Sequence, residues 1–323
     1  MKNRIWMIVI IALLMGAGAT LILLQKPQRQ ETARITIAEQ YGLAYAPLQI
    51  MKSSKLLEKQ IPGIQVSWRQ LGNTAAIREA MLAGEVDAGF MAIPPFLIGK
   101  DKGMTWRIAS GLSESPVALV THQSRIKSLS DFTAVDRIAL PQPGSIQHIL
   151  LSMAAERELG DAKKLDSLLV TLAHPDGMNA LLTKKEITAH FTTPPYLSQE
   201  LETPGIHQVL DGKDALGADF TFVVGVTTEA FHQKHSREYQ VFVKALKEAI
   251  DFVDAKPEET AKRLAKQYQM SEAELLRLLT LPGTKFTQSV KGVDQFARFM
   301  KKHGYLNQFP NQDQIYWDNV QYE

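Results

Sequence analysis

The sequence predicts an α/β fold built as two lobes. Three observations carry that prediction. Strands and helices alternate along the chain, the alternation restarts near residue 137, and one segment is echoed later in the sequence. Such alternation is the pattern of a largely parallel sheet covered by helices. A chain of 323 residues is long enough for more than one core.

The elements follow in order. Residues 25–32 (QKPQRQET) are polar, contain a proline and read as a linker. Residues 34–38 (RITIA) form a β-branched strand. A helix is expected over 47–60, and a strand over 64–69 after the turn at Pro62 and Gly63. Gly72, Asn73 and Thr74 open a helix over 75–83, with Asn73 or Thr74 as N-cap, and Gly84 ends it. Residues 86–91 are the next strand, and Pro94 sits where proline starts a helix. Strands over 106–110 and 117–121 complete the first run.

The second run has a strand over 137–140, a helix over 144–159, a strand over 168–172, a helix over 177–183 and a strand over 187–192. Residues 220–227 (FTFVVGVT) are strongly β. Only helices are expected after them, over 237–255, 257–269, 271–280 and 289–303.

The echo joins EVDAGFMAIPPFL, from Glu85 to Leu97, to EITAHFTTPPYL, from Glu186 to Leu197, with a single gap. Both copies follow an apolar helix, run through a strand and end in two prolines and an aromatic that starts a helix. Their spacing is too long for a solenoid repeat and suits two similar lobes.

Composition removes several function classes. The formal net charge is +2 and the basic residues are scattered, which argues against a nucleic-acid surface. There is no cysteine, hence no disulfide, thiolate metal site, cysteine nucleophile or lipidated cysteine. Lys2 and Arg4 precede an uncharged apolar run over residues 5–24. About 20 such residues just span a bilayer core. That run is either a transmembrane anchor or a signal peptide cleaved after Ala17-Gly18-Ala19, and both readings place the body outside the cytoplasm. Residues 1–32 are therefore signal or anchor plus linker. Residues 33–119 and 223–323 are expected to form lobe 1, and 120–222 lobe 2.

Ligands of open α/β sheets bind beyond the carboxyl ends of the strands, and two facing lobes would pool those loops in one cleft. The first loop carries Gln40, Tyr41, Gly42 and Tyr45. Its tyrosines offer flat walls with a hydroxyl tip, or else cover a helix end. The other loops carry Gly72, Asn73 and Thr74, then Met91, Ala92 and Ile93, then Gly144, Ser145, Ile146, Gln147 and His148, and finally Thr192, Thr193 and Pro194. Glu114 lies near the expected crossing between lobes. Free N–H groups at the two glycine-containing helix starts attract oxyanions, although ordinary capping uses the same residue types. None of these loops holds an arginine, which argues against a tightly paired dianion. The remaining histidines show no metal-ligand spacing, and no P-loop, dinucleotide or nucleophile-elbow fingerprint is present, so no metal or cofactor is expected.

The segments LAGEVDAG from Leu82 to Gly89, the Gly144-Ser145 helix start and AHFTTPP from Ala189 to Pro195 together resemble the nitrate/sulfonate/taurine group of ABC-importer substrate-binding proteins. The related thiamine-precursor binding proteins share the pattern. The resemblance implies a type II periplasmic-binding-protein fold with two crossover strands, near 116–121 and 220–225, here preceded by the N-terminal hydrophobic helix. It implies a monomeric solute-binding component working with an ABC permease and its ATPase. The solute is expected to be sulfonate-, taurine- or nitrate-like, with a pyrimidine-like heteroaromatic as the alternative, and an extracytoplasmic sensor as the alternative role. Thiamine-pyrimidine synthases share this superfamily fold but carry a cysteine-rich segment, so an enzyme is not expected. Many relatives are lipoproteins or free periplasmic proteins. With no cysteine here, residues 5–24 are expected to act as the tether.

Overall fold

Two mixed sheets, each faced by helices, organise the chain. The computed structural model describes residues 33–323, and Arg34–Glu323 form one unit. The apolar run over 5–24, read above as signal or anchor, lies outside the described residues. Among the described residues no helix is long and apolar enough to cross a membrane.

The first lobe begins with β1 (Arg34–Glu39), α1 (Ala46–Ser53), α2 (Leu56–Gln60), β2 (Gln65–Gln70), α3 (Thr74–Leu82), β3 (Ala88–Met91), α4 (Ile93–Asp101) and β4 (Trp106–Glu114). The chain then crosses to the second lobe: β5 (Ala118–Thr121), β6 (Ile138–Leu140), α5 (Ile146–Leu159), β7 (Leu169–Thr171), α6 (His174–Thr183), β8 (Ala189–Thr192), α7 (Tyr196–Glu202), β9 (His207–Asp211) and α8 (Gly212–Leu216). It returns through β10 (Val223–Thr228) and finishes with α9 (Glu229–Lys234), α10 (Ser236–Ala255), α11 (Pro257–Tyr268), α12 (Glu272–Leu279), β11 (Lys285–Phe286) and α13 (Val293–Lys302).

The sheet orders are β11-β4-β10-β3-β1-β2 and β7-β6-β8-β5-β9. They share one plan. A parallel triplet (β2, β1, β3 or β7, β6, β8) is followed by the strand that has just arrived from the other lobe, running antiparallel. The echo keeps its register. Ile37 and Ala38 pair with Ala88 and Gly89 in the first sheet, as Ile138 and Ala139 pair with Ala189 and His190 in the second. Both inserted strands are almost wholly buried, which explains why VVGVTT and ALVT read as continuous apolar runs rather than alternating ones.

Several sequence expectations are corrected. The sheets are mixed rather than largely parallel, because each crossover strand enters against the direction of its neighbours. The strand expected over 117–121 belongs to the second sheet, not to the first run. The helix expected over 47–60 is split, with Lys55 in the left-handed region (φ 50°) between α1 and α2. The helix expected from 177 begins at His174, with Pro175 in its first turn. β9 and the two-residue β11 were not foreseen. β9 is half exposed and pairs only with β5, and β11 is too short to show a period.

Candidate ligand-binding site

The carboxyl ends of the parallel strands in both sheets converge on one cleft. Its cavity measures about 30 Å³, room for roughly two water molecules. The lobes touch directly around it. The Leu43 N–H donates to Pro194 O at 3.0 Å, and the Ala75 N–H donates to Gln142 Oε1 at 3.0 Å. At the crossover, Ser115 Oγ donates to Thr193 Oγ1 at 3.1 Å, and the Thr193 hydroxyl in turn donates to Pro116 O at 3.0 Å.

Of the residues expected from sequence, Gln40, Tyr41, Tyr45, Gly72, Thr74, Ala92, Ser145, Ile146 and Gln147 line the cavity. The others do not. Asn73 caps α3, its Oδ1 accepting the Ala76 N–H. Met91, Ile93 and Thr192 are fully buried in the lobes. Gly42 lies beside the cleft, and its φ of 125° is a backbone conformation that disfavours a side chain. Thr193 and Pro194 serve the inter-lobe bonds described above. Gly144 donates its N–H to His148 Nδ1 at 2.8 Å. That bond leaves the His148 proton on Nε2, where it faces Asp166 Oδ1 at 3.0 Å, so His148 is engaged inside lobe 2. Glu114 pairs with Lys291 at 3.5 Å beside a separate cavity of about 300 Å³ near the crossover.

Sequence reasoning missed Pro95, Pro141, Gln142, His174 and Phe222, which also line the cavity. Gln142 stands two residues before Gly144, between two prolines just after β6. His174 was hidden by the late helix start.

Local chemistry explains the placement. α3 and α5 each begin with a side-chain cap, Asn73 and Ser145, followed by first-turn N–H groups that lack intrahelical acceptors. On α3 one such N–H, that of Ala75, is answered by the carboxamide oxygen of Gln142 from the opposite lobe. The Gln40 amide bridges Thr74 Oγ1 at 3.2 Å and Phe90 O at 3.3 Å, fixing the first loop against the α3 start. Among the described residues lining the cavity there is no Lys, Arg, Asp or Glu. The floor of lobe 1 does hold an acid. Burial pushes the Glu39 carboxyl up to about 7, against the Gln49 Nε2 donor at 2.5 Å. Burial also raises the Tyr45 and Tyr268 phenols, so both are neutral hydrogen-bonding groups.

A family model described as the NMT1-like family matches residues 28–268. The chain belongs to the NMT1-like family. The chain is similar to the putative aliphatic sulfonates-binding protein of Escherichia coli (strain K12), at 28% identity over 168 residues. That match covers 51% of each protein, so the chain spans about half the length of this curated relative. Solved structures show the fold. The alkanesulfonate-binding protein SsuA from Xanthomonas axonopodis pv. citri, bound to MOPS, superposes with a TM-score of 0.73 at 18% identity, covering 88% of this chain and 98% of that one. The periplasmic nitrate-binding protein NrtA from Synechocystis PCC 6803 gives 0.62 at 14% identity, covering 76% and 70%. This NMT1-like chain therefore has the two-sheet α/β fold of periplasmic binding proteins.

Proposed function

We propose that the chain is the extracytoplasmic solute-binding component of an ABC import system. It captures a small sulfonate-, taurine- or nitrate-like solute between its lobes and delivers it to a membrane permease driven by an ATPase. The observation that carries this reading is the Ala75 N–H at the start of α3, which takes an oxygen from the opposite lobe across a wall of neutral side chains. An oxyanion bound there would use the same donor, the α5 start opposite it and the dipoles of both helices. Donors from both lobes would then favour the closed form, because a ligand shifts a hinge only by its differential contacts. The names of the relatives, sulfonate- and nitrate-binding, support the same solute class.

A second reading, a pyrimidine-like heteroaromatic, is favoured by Tyr41, Tyr45 and Phe222 in the cavity wall. The role is capture rather than turnover, and residues 5–24 deliver the lobes to the outer side of the membrane as signal or tether. A thermal-shift screen with methanesulfonate, taurine, nitrate and 4-aminopyrimidine tests the proposal. At a hundredfold excess over Kd, a specific solute stabilises the fold by about 2.7 kcal/mol. Absence of a concentration-dependent rise in Tm with every one of them contradicts it.

A further inference from the structure

The two lobes solve the same packing problem in opposite ways. In lobe 1, β3 carries Gly89, and α3 presses Ile77 and Met81 onto it. A Cβ there would lie 2.7 Å from Ile77 Cγ2 and 2.8 Å from Met81 Sδ. In lobe 2 the matching strand position is His190, and the glycine has moved to the covering helix. A Cβ on Gly177 of α6 would lie 2.6 Å from His190 Nε2. Lobe 2 has therefore exchanged an apolar contact for a buried imidazole, which costs free energy unless every polar atom it introduces is hydrogen-bonded.

The imidazole belongs to a chain of four side chains. Gln147 Nε2 lies 3.2 Å from His174 Nε2. His174 Nδ1 lies 3.2 Å from His190 Nε2, and His190 Nδ1 lies 2.6 Å from Glu200 Oε1. Gln147 and His174 line the cleft, whereas His190 and Glu200 are 0% exposed. Glu200 Oε2 is buried without a partner. A neutral imidazole donates from one nitrogen and accepts at the other, so the chain has two polarities. In the inward one, Gln147 Nε2 donates to His174, whose Nδ1 proton points to His190, whose Nδ1 proton points to a Glu200 carboxylate. The Gln147 carbonyl is then left for the cleft. In the outward one, a Glu200 carboxylic acid donates to His190 Nδ1, and the Nε2 protons of His190 and His174 point outward. Gln147, turned half a revolution about its amide, accepts at Oε1 and offers its NH2 to the cleft.

We propose that Glu200, His190 and His174 are positioning residues that set the hydrogen-bond polarity of Gln147, and that the outward polarity makes the cleft an oxyanion site. This deepens the solute-binding reading above and rests on it for the identity of the ligand. Among the described residues, no lysine or arginine acts on Glu200, His190 or His174. Tyr196 stacks on His174 with centroids 5.9 Å apart, and Tyr41 acts on Tyr196. β5, packed under α7, carries no ionisable side chain, and Asp176 of α6 is exposed. Glu202 is turned outward to Arg277. Burial accordingly pushes Glu200 up to about 9 and His190 down to about 3, and holds His174 well below the usual imidazole range. Near neutral pH all four groups are uncharged, with the proton on Glu200.

Nitrogen-15 NMR of the imidazoles in the full-length protein tests the relay without a ligand. The expected result at pH 7 is two neutral rings, both protonated on Nε2, converting together to Nδ1 as pH rises through about 9. Glu200→Gln, which can donate to His190 at any pH, holds both rings in the Nε2 form. An imidazolium at pH 7, or rings in different tautomers, overturns the proposal. So does conversion that persists in Glu200→Gln. Methanesulfonate titrations at pH 7 and 10.5 then test the link to binding. Affinity falls about tenfold or more in the parent, as a donor to the anion is lost, and stays flat in Glu200→Gln. Equal pH dependence in both proteins overturns the link. If methanesulfonate fails to bind while the tautomers behave as stated, the oxyanion reading fails and the relay stands.

Discussion

Gly177→Ala is the substitution with the most to say about lobe 2. In most helices it is stabilising by about 1 kcal/mol, since alanine is the better helix former. Here the new methyl would lie 2.6 Å from His190 Nε2, 2.9 Å from Cε1 and 3.0 Å from Cδ2. The ring cannot step aside freely, because it is held by His174 on one side and Glu200 on the other. Overpacking of this kind costs about 1–3 kcal/mol, and a displaced ring loses hydrogen bonds worth about 1 kcal/mol each. The net expectation is a loss of about 1–3 kcal/mol, or a Tm lower by roughly 2–5 °C. The assay is urea denaturation of a double-mutant cycle with His190→Ala, which removes the ring. The two substitutions should couple favourably by about 1 kcal/mol or more. The reasoning is refuted if Gly177→Ala alone raises stability, because that is the sign helix propensity gives when nothing faces the glycine.

Three further outcomes are expected. Ser145→Ala and Thr74→Ala weaken methanesulfonate binding more than 4-aminopyrimidine binding, and Ser145→Ala also costs about 1 kcal/mol through its lost cap; equal losses for both solutes in calorimetric titrations contradict the helix-start argument. Glu39 has a folded value of about 7 against 4.5, so its contribution to stability is full below pH 4.5 and is lost as pH rises through 7. The change is on the order of 3 kcal/mol, and Glu39→Gln should flatten that slope in urea midpoints measured between pH 5 and 8. Tyr305→Phe removes the hydroxyl that meets Ser152 Oγ of α5 at 2.9 Å, and should cost about 1 kcal/mol in the same assay.

The strand–helix alternation was legible because its signals are local. β-branched runs, prolines at helix starts and capping residues each act within a few positions. The echo was legible for a deeper reason, since the two copies occupy one register in each sheet. Strand direction was not. Nothing within VVGVTT says that it enters its sheet antiparallel, because direction is set by the path of the chain through the other lobe. In the cleft, Gln40, Thr74, Ser145 and Gln147 followed from the rule that loops at strand ends meet. His148 does not line the cavity, because its ring is taken up by the Gly144 N–H at one nitrogen and Asp166 at the other. His174 and His190 lack metal-ligand spacing in the sequence, and their partnership, a hydrogen-bonded chain between a helix start and a strand, leaves no local signal. Gln142 was invisible because its role depends on the opposite lobe.

Titration calorimetry of methanesulfonate into the full-length protein and its Gly72→Trp variant tests the central claim most directly. Gly72 lines the cavity of about 30 Å³, and a Cβ there would meet nothing nearer than Ala173 Cβ at 4.0 Å, so the backbone accepts a side chain at this point while the indole, far larger than the cavity, occupies the cleft and holds the lobes apart. The account predicts saturable one-site binding in the parent and its loss in the variant, with the unfolding transition preserved. Binding that survives a tryptophan in the cleft would contradict the account.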